Sequence, residues 1–288
     1  MSSRFRSPWS SRAVMCVVGG AAVATLSGVL TAPGAMAKPC YGDCTPGVVR
    51  VGAGVLRYDA PVGVADQINV TADGQFVTVT DTGVTFSAGT GCTMVTPSQA
   101  RCPAAGVFSM RIRGLDGNDA ITNATSLPST LMGGDGNDRL TGGSADDELV
   151  GEFGADVMVG GAGDDTASYS DTAARTAGVH ASLNGATGDD GGAEDGPVGA
   201  RDTIAADVEN LEGTIRDDVL IGNTGPNVIN GEGGHDTVQG LGGNDQLTGR
   251  GGGTVDGGAG TDQCTSDLRG LLEQPDTFVG CEVTQILN

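Results

Sequence analysis

The sequence predicts an all-β fold: a right-handed parallel β-roll, a solenoid of nine-residue repeats with a β-rich N-terminal region and an inserted strand-loop segment. Three observations predict it. A nine-residue period is set by Gly133-Gly134-Asp135-Gly136-Asn137-Asp138-Arg139-Leu140-Thr141, with further units starting at Gly142, Gly151 and Gly160. It resumes at Gly213, Gly222, Gly231, Gly240 and Gly249, then slips by one residue to Gly257. The eighth position is always apolar: Ile121, Leu140, Leu149, Met158, Ala167, Leu220, Ile229, Val238, Leu247 and Cys264. The chain also has 51 glycines and only 3% aromatic residues, so burial must come from stacked small aliphatics rather than a large globular core.

Residues 1–37 read as a secretory signal peptide. Arg4, Arg6 and Arg12 are followed by an apolar run from Ala13 to Leu30 and by the small residues Ala35 and Ala37. No later stretch approaches the ~20 apolar residues of a membrane span, so none is expected after signal removal. Residues 38–113 read as a β-rich N-terminal region, either a separate all-β domain or the first coils of the solenoid. Val48–Val51, Val55–Tyr58, Gln67–Thr71 and Phe76–Thr80 are β-branched runs, and Ala72-Asp73-Gly74-Gln75 is a hairpin-type turn.

Residues 114–168 form the first repeat array, opening on Gly114-Leu115-Asp116-Gly117-Asn118-Asp119, with Asn123 to Met132 as a turn lacking the repeat signature. Residues 169–212 are an insertion. Val179 to Leu183 reads as a strand, Asn184 to Asp202 as an acidic loop, and Ile204 to Leu211 as a strand or one helical turn. Residues 213–265 form the second array. Residues 266–288 lose the period and read as the cap that closes the last coil.

Loss of the signal would leave a formal charge of −24, and 27 of the 36 acids lie in residues 114–265. A field of this sign repels phosphate, which excludes nucleic acid as an expected partner. Six cysteines remain after Cys16. An even count in an exported chain points to disulfides. Every pairing stays open, although closeness favours Cys40–Cys44, Cys92–Cys102 and Cys264–Cys281.

The sixth position of the repeat carries the chemistry. Two strands and two turns close a coil of 18 residues, so units two apart stack about 4.8 Å from one another. This sets Asp138 beside Asp156, Asp147 beside Asp165, Asp218 beside Asp236 and Asp245 beside Asp262, with Asp119 facing Asp138. Bare carboxylates at that spacing repel by about 3.5 kcal/mol per pair at an effective dielectric of roughly 20. Several such pairs rival the ~5–15 kcal/mol stability of a domain. A cation between the turns removes the conflict. Ca2+ accepts roughly 6–8 oxygen ligands in flexible geometry, whereas Mg2+ holds a tighter, wetter octahedron.

These residues resemble the haemolysin-type calcium-binding repeats of the RTX nonapeptide, parallel β-roll family, over residues 114–165 and 213–265. The overall layout is similar to secreted actinobacterial calcium-binding proteins. The resemblance implies several Ca2+ ions held by Asp119, Asp138, Asp147, Asp156, Asp165, Asp218, Asp236, Asp245 and Asp262. It also implies backbone carbonyl ligands near Gly117, Gly134, Gly136, Gly161, Gly163, Gly234, Gly243, Gly258 and Gly260. Departures from the pattern mark weaker places. Asn227 replaces the acid beside Asp245. The Gly249 unit is one residue short and lacks the acid beside Asp236. Ala145 and Arg216 replace the fourth glycine, which distorts the Gly142 and Gly213 turns.

The expected function is that of a secreted, extracellular, non-enzymatic calcium-binding protein whose repeats fold around stacked ions. An adhesion or matrix protein that binds cell-wall or extracellular polysaccharide is the alternative. A secreted hydrolase is third: His180, Ser182 and Asp171 are sequence neighbours without a nucleophile-elbow motif, and no His-Glu-x-x-His is present. Asp189, Asp190, Glu194, Asp195 and Asp202 in the inserted loop read either as a solvated acidic loop or as a further calcium site.

Overall fold

Neighbouring side chains of a strand alternate faces, so a three-residue strand turns its middle side chain inward. Arg139–Thr141, Val157–Val159, Val219–Ile221 and Thr237–Gln239 bury their middle residue and leave both flanks at least partly exposed. None of the ten eighth-position residues is more than 1% exposed, and they join one continuous core. Each buried aliphatic side chain contributes about 1.5–3 kcal/mol relative to exposure, which here replaces aromatic mass.

The computed structural model describes residues 47–170, 175–268 and 274–287. The expected signal peptide, the Cys40–Cys44 pairing and Asp171 lie outside these residues. Strands stack in parallel at the coil length that the period requires. Arg139 pairs with Val157 and Val228 with Gln246, each 18 residues apart. The extra residue after the Gly114 unit lengthens one coil to 19, as in Ala120 with Arg139. The short Gly249 unit shortens another to 17, as in Thr237 with Thr254.

The coils build two walls. One is a 12-stranded sheet running from Ser87–Ala88 and Val48–Gly52 to Val283–Leu287. The opposite wall is divided. An 8-stranded sheet ends at Thr203–Ile204, and a 5-stranded sheet begins at His180–Ser182 and ends at Thr277–Val279.

The N-terminal region provides the first coils of the roll. Val55–Asp59 pairs in parallel with Ser109–Asp116, and Gln67–Ala72 with Ala120–Ala124. Antiparallel hairpins seal the end. Gln67–Ala72 turns into Phe76–Asp81 through Asp73, whose Oδ1 accepts hydrogen bonds from Gln75 N at 2.9 Å and Phe76 N at 2.7 Å. Cys92–Cys102 and Cys264–Cys281 are disulfides.

Two sequence readings are corrected. Asn123 to Met132 is more than a turn, because it contains most of the strand Ser129–Asp135, whose Leu131 is fully buried against Leu149. Its turn is built by Asn123, which accepts from Thr125 N and donates to Leu127 O. Ile204 to Leu211 is neither one strand nor a helical turn: Thr203–Ile204 sits on the divided wall and Asn210–Glu212 on the long one. Within the expected cap, Thr277–Val279 and Val283–Leu287 pair in parallel with the last strands of the two walls.

The insertion also splices the divided wall. Asp190 is fully buried, and its Oδ1 accepts from Ser182 N at 2.7 Å while its Oδ2 accepts from Ile204 N at 3.0 Å. One carboxylate thus spans the gap between the two sheets. Single bridges, His180 with Gly191 and Asp190 with Asp202, reinforce it. Arg175, 1% exposed, pins the same segment through an ion pair to Asp195 at 2.6 Å and a hydrogen bond to Glu152 O.

Candidate metal centre

Each sixth-position carboxylate does one job that the structure makes explicit. Its Oδ1 accepts the backbone N–H of the matching residue one coil earlier. Asp138 Oδ1 accepts from Asp119 N at 2.7 Å, Asp156 from Asp138 at 2.8 Å and Asp165 from Asp147 at 2.8 Å. Asp236 accepts from Asp218 N at 3.0 Å and Asp262 from Asp245 N at 2.9 Å. The carboxylates therefore stack in columns at the coil edges, one residue before each strand.

The second oxygen has no such partner. Oδ2 of Asp119, Asp138, Asp156, Asp165, Asp236, Asp245 and Asp262 is buried and accepts no hydrogen bond. A buried acceptor left in this state costs about 1–3 kcal/mol, more when charged. These oxygens point back into the glycine turn of their own unit. A methyl carbon on Gly133 would lie 2.2 Å from Asp138 Oδ2, and one on Gly151 would lie 2.3 Å from Asp156 Oδ2. The first glycine of the repeat is thus required by the carboxylate folded against it.

Turn carbonyls stack beside the column. A methyl on Gly136 would lie 1.5 Å from the Gly117 carbonyl oxygen, and one on Gly260 would lie 1.5 Å from that of Gly243. Gly117, Gly134, Gly136, Gly161, Gly163, Gly234, Gly243, Gly258 and Gly260 all have positive φ. Among the described residues, no three His, Cys, Asp or Glu side chains gather tightly enough to hold a metal unaided. The donors available between coils are carboxylate oxygens and turn carbonyls. An oxygen-only set with orphaned, buried anionic atoms fits a hard divalent cation.

Burial dominates the electrostatics. It pushes Asp119 and Asp165 up to about 6, Asp138 to about 7, and Asp156 and Asp236 to about 8, with neighbouring acids adding to the rise. Burial also raises Asp218 and Asp245. Without a cation, these groups hold protons that ordinary aspartates release.

Two expected residues stand apart. Asp147 Oδ2 accepts from Gly143 N at 2.5 Å, and Asp218 Oδ2 from Thr214 N at 2.6 Å. These are the units in which Ala145 and Arg216 replace the fourth glycine, and their turns close on the carboxylate itself. Asn227 behaves similarly. Its Oδ1 accepts from Asn223 N at 2.9 Å and its Nδ2 donates to Glu209 O at 2.7 Å, so the amide is satisfied within the protein. In the short unit, Gly253, fifth from Gly249, stands where the sixth-position acid would, and its N–H donates to Asp276 Oδ1 at 2.7 Å.

The columns are longer than the repeats. Asp66 N donates to Asp119 Oδ1 at 2.8 Å, and Asp156 N to Asp202 Oδ1 at 2.9 Å. Asp165 N donates to Glu209 Oε2 at 3.0 Å, and Asp262 N to Glu282 Oε2 at 2.8 Å. Asp66, Asp202, Glu209, Asp276 and Glu282 lack the glycine frame that identifies a repeat. A second ladder runs at the fifth position, where Asn118 Oδ1 accepts from Asn137 N, Asn137 Oδ1 from Ala155 N and Asn244 Oδ1 from Thr261 N. Within the inserted loop, Asp190 and Asp195 are committed to the splice and to Arg175. Ser182 Oγ donates to Asp190 at 3.3 Å.

Residues 132–167 and 212–247 match the model of the RTX calcium-binding nonapeptide repeat, in four copies. No curated protein matches the chain.

Proposed function

Because this chain carries RTX calcium-binding nonapeptide repeats in both of its arrays, we propose that it is a secreted, non-enzymatic calcium-binding protein whose β-roll is completed by Ca2+ ions between successive turns. The observation that carries the reading is the set of seven buried Oδ2 atoms without a hydrogen-bond donor, each aimed into a glycine turn. Asp119, Asp138, Asp156, Asp165, Asp236, Asp245 and Asp262 would hold the ions, with carbonyls of the stacked turns. Bound calcium supplies positive charge that replaces the protons the column otherwise retains. The protein's part is to hold each carboxylate by its Oδ1, leave Oδ2 bare, and exclude water by burial.

Asp147 and Asp218 contribute less on this reading, because both oxygens already accept backbone hydrogen bonds. Two disulfides and an acidic surface suit an oxidising, calcium-rich exterior. Calcium titration followed by calorimetry and circular dichroism on the chain from Lys38 tests the proposal. We expect multi-ion binding with a cooperative gain of β signal, and fewer ions bound by Asp156→Asn than by Asp147→Asn. An unchanged β signal, or magnesium acting as well as calcium, overturns it.

A further inference from the structure

The head of the acid column lies well before the first recognised repeat, at Asp66. The turn Pro61-Val62-Gly63-Val64-Ala65-Asp66 has none of the repeat's sequence, yet it stacks as a repeat turn does. A methyl on Gly117 would meet the Val64 carbonyl oxygen at 2.1 Å, just as one on Gly136 meets Gly117 and one on Gly154 meets Gly136. Asp66 follows Val64 by two residues, as Asp119 follows Gly117 and Asp138 follows Gly136. Gly63 N is tied to Asp116 Oδ1 at 2.7 Å. The first coil therefore reproduces the repeat's backbone with a different sequence.

What surrounds Asp66 differs from the ordinary repeat. It is fully buried, and neither of its carboxylate oxygens accepts a hydrogen bond. Asp81, also fully buried, is brought up to the backbone of the same turn, because Gln67, the residue after Asp66, donates its N–H to it. Asp81 is oriented by two donors, Gln67 N to Oδ1 at 3.1 Å and Tyr58 Oη to Oδ2 at 2.5 Å. Asp119 completes the group, with Oδ1 taken by Asp66 N and Oδ2 bare. Among the described residues no ion pair reaches these three acids. The opposite end of the same column contrasts with it. There Asp202 accepts from Tyr169 Oη at 3.0 Å, and the buried Arg175–Asp195 pair brings a positive charge close to Asp156.

We propose that Asp66, Asp81 and Asp119, with the Val64 carbonyl, form a divalent-cation site of the calcium type at the head of the roll, outside the nonapeptide repeats. It seats the first coil on the column and joins the N-terminal hairpin to the array. The calcium reading of the repeats supplies the kind of ion, but the site rests on its own residues. Asp66 is fully buried with both carboxylate oxygens lacking a donor, and Asp119 adds a third bare oxygen, so the site presents hard oxygen donors that nothing in the described protein satisfies. The three side chains do not close on a metal unaided; the Val64 carbonyl and the ion would complete an oxygen-only set of the kind that calcium takes.

Terbium, which occupies calcium sites and luminesces when a nearby tyrosine is excited, tests this directly because Tyr58 touches Asp81. In the full chain titrated with Tb3+, Tyr58→Phe should lower tyrosine-excited emission to the level the other two tyrosines supply, while the number of ions bound stays that of the wild type. Asp66→Asn should lower emission equally and bind one ion fewer in calcium calorimetry. Asp156→Asn should reduce ion binding but leave the Tyr58 contribution in place, which separates this site from those of the repeats. Wild-type emission in Tyr58→Phe, or an undiminished ion count in a folded Asp66→Asn, overturns the proposal. If Asp66→Asn loses its β circular dichroism, the emission of Tyr58→Phe decides alone.

Discussion

In chelator, the fold loses stability as pH rises from about 4 to about 8, and calcium reverses the loss. The sign follows from the buried column. Burial raises Asp138 from 3.8 to about 7 and Asp156 and Asp236 from 3.8 to about 8. Between the unfolded and folded values the native chain holds more protons than the unfolded one, so stability falls with rising pH in that window. Below about 4 both states are protonated and the contribution is complete. Urea midpoints in EDTA should therefore be higher at pH 4.5 than at pH 7.5. Calcium at pH 7.5 should restore the midpoint and release protons as it binds. General repulsion in so acidic a chain acts in the same direction, but molar salt screens it. The buried contribution should persist at 1 M NaCl. A midpoint in EDTA that climbs from pH 4.5 to pH 7.5 would rule out a protonated column.

Gly136→Ala should be among the most damaging single-methyl changes in the chain. The added carbon would lie 1.5 Å from the Gly117 carbonyl oxygen, at a φ of +152°. Overlap with backbone cannot be relieved by rotating a side chain, because the Gly117 carbonyl belongs to the stacked turn of the previous coil. Backbone strain alone costs ~1–3 kcal/mol. Overlap with a fixed neighbour should carry the total to about 4 kcal/mol or more, the range of severe single changes. Gly74→Ala is the control. Gly74 has φ +85° but nothing within 4 Å of its added carbon, so it pays backbone strain only. Thermal midpoints in saturating calcium should separate the two variants widely. Equal losses would show that conformational strain, and not coil stacking, is what the repeat glycines answer to.

Much of this was legible in the sequence because the repeat writes its geometry at fixed spacing. The eighth-position residues mark the core, and the sixth-position acids mark the columns that Asp119, Asp138, Asp156, Asp165, Asp245 and Asp262 occupy. The rest was hidden because the glycine frame is only one way to shape the turn. Asp66, Asp202, Glu209 and Asp276 stand two residues ahead of the buried or half-buried apolar residues Ile68, Ile204, Leu211 and Phe278, the same offset as in every repeat. That short signal, an acid two before an apolar strand centre, is too common to notice without the coil beside it. The splice was hidden for another reason. Asp190 reads as one acid among several in a loop, and only the fold brings Ser182 and Ile204 to either side of it. Asn227 was legible as a missing charge, but not as an amide that closes its own turn.

The divided wall gives the roll a direction of weakness. One face is a single hydrogen-bonded ladder from end to end, and the other is held across its seam by the carboxylate of Asp190 and two isolated bridges. As a beam, such a rod is stiff when the continuous face is stretched and compliant when the seam is. Pulled from its two ends in an optical trap, it should first lengthen by a hinge-like opening at residues 183–202 before either array unravels. Asp190→Ala should lower the force of that first step and leave the later steps unchanged; a single all-or-none rupture in both chains would mean that the seam bears load as well as the unbroken wall.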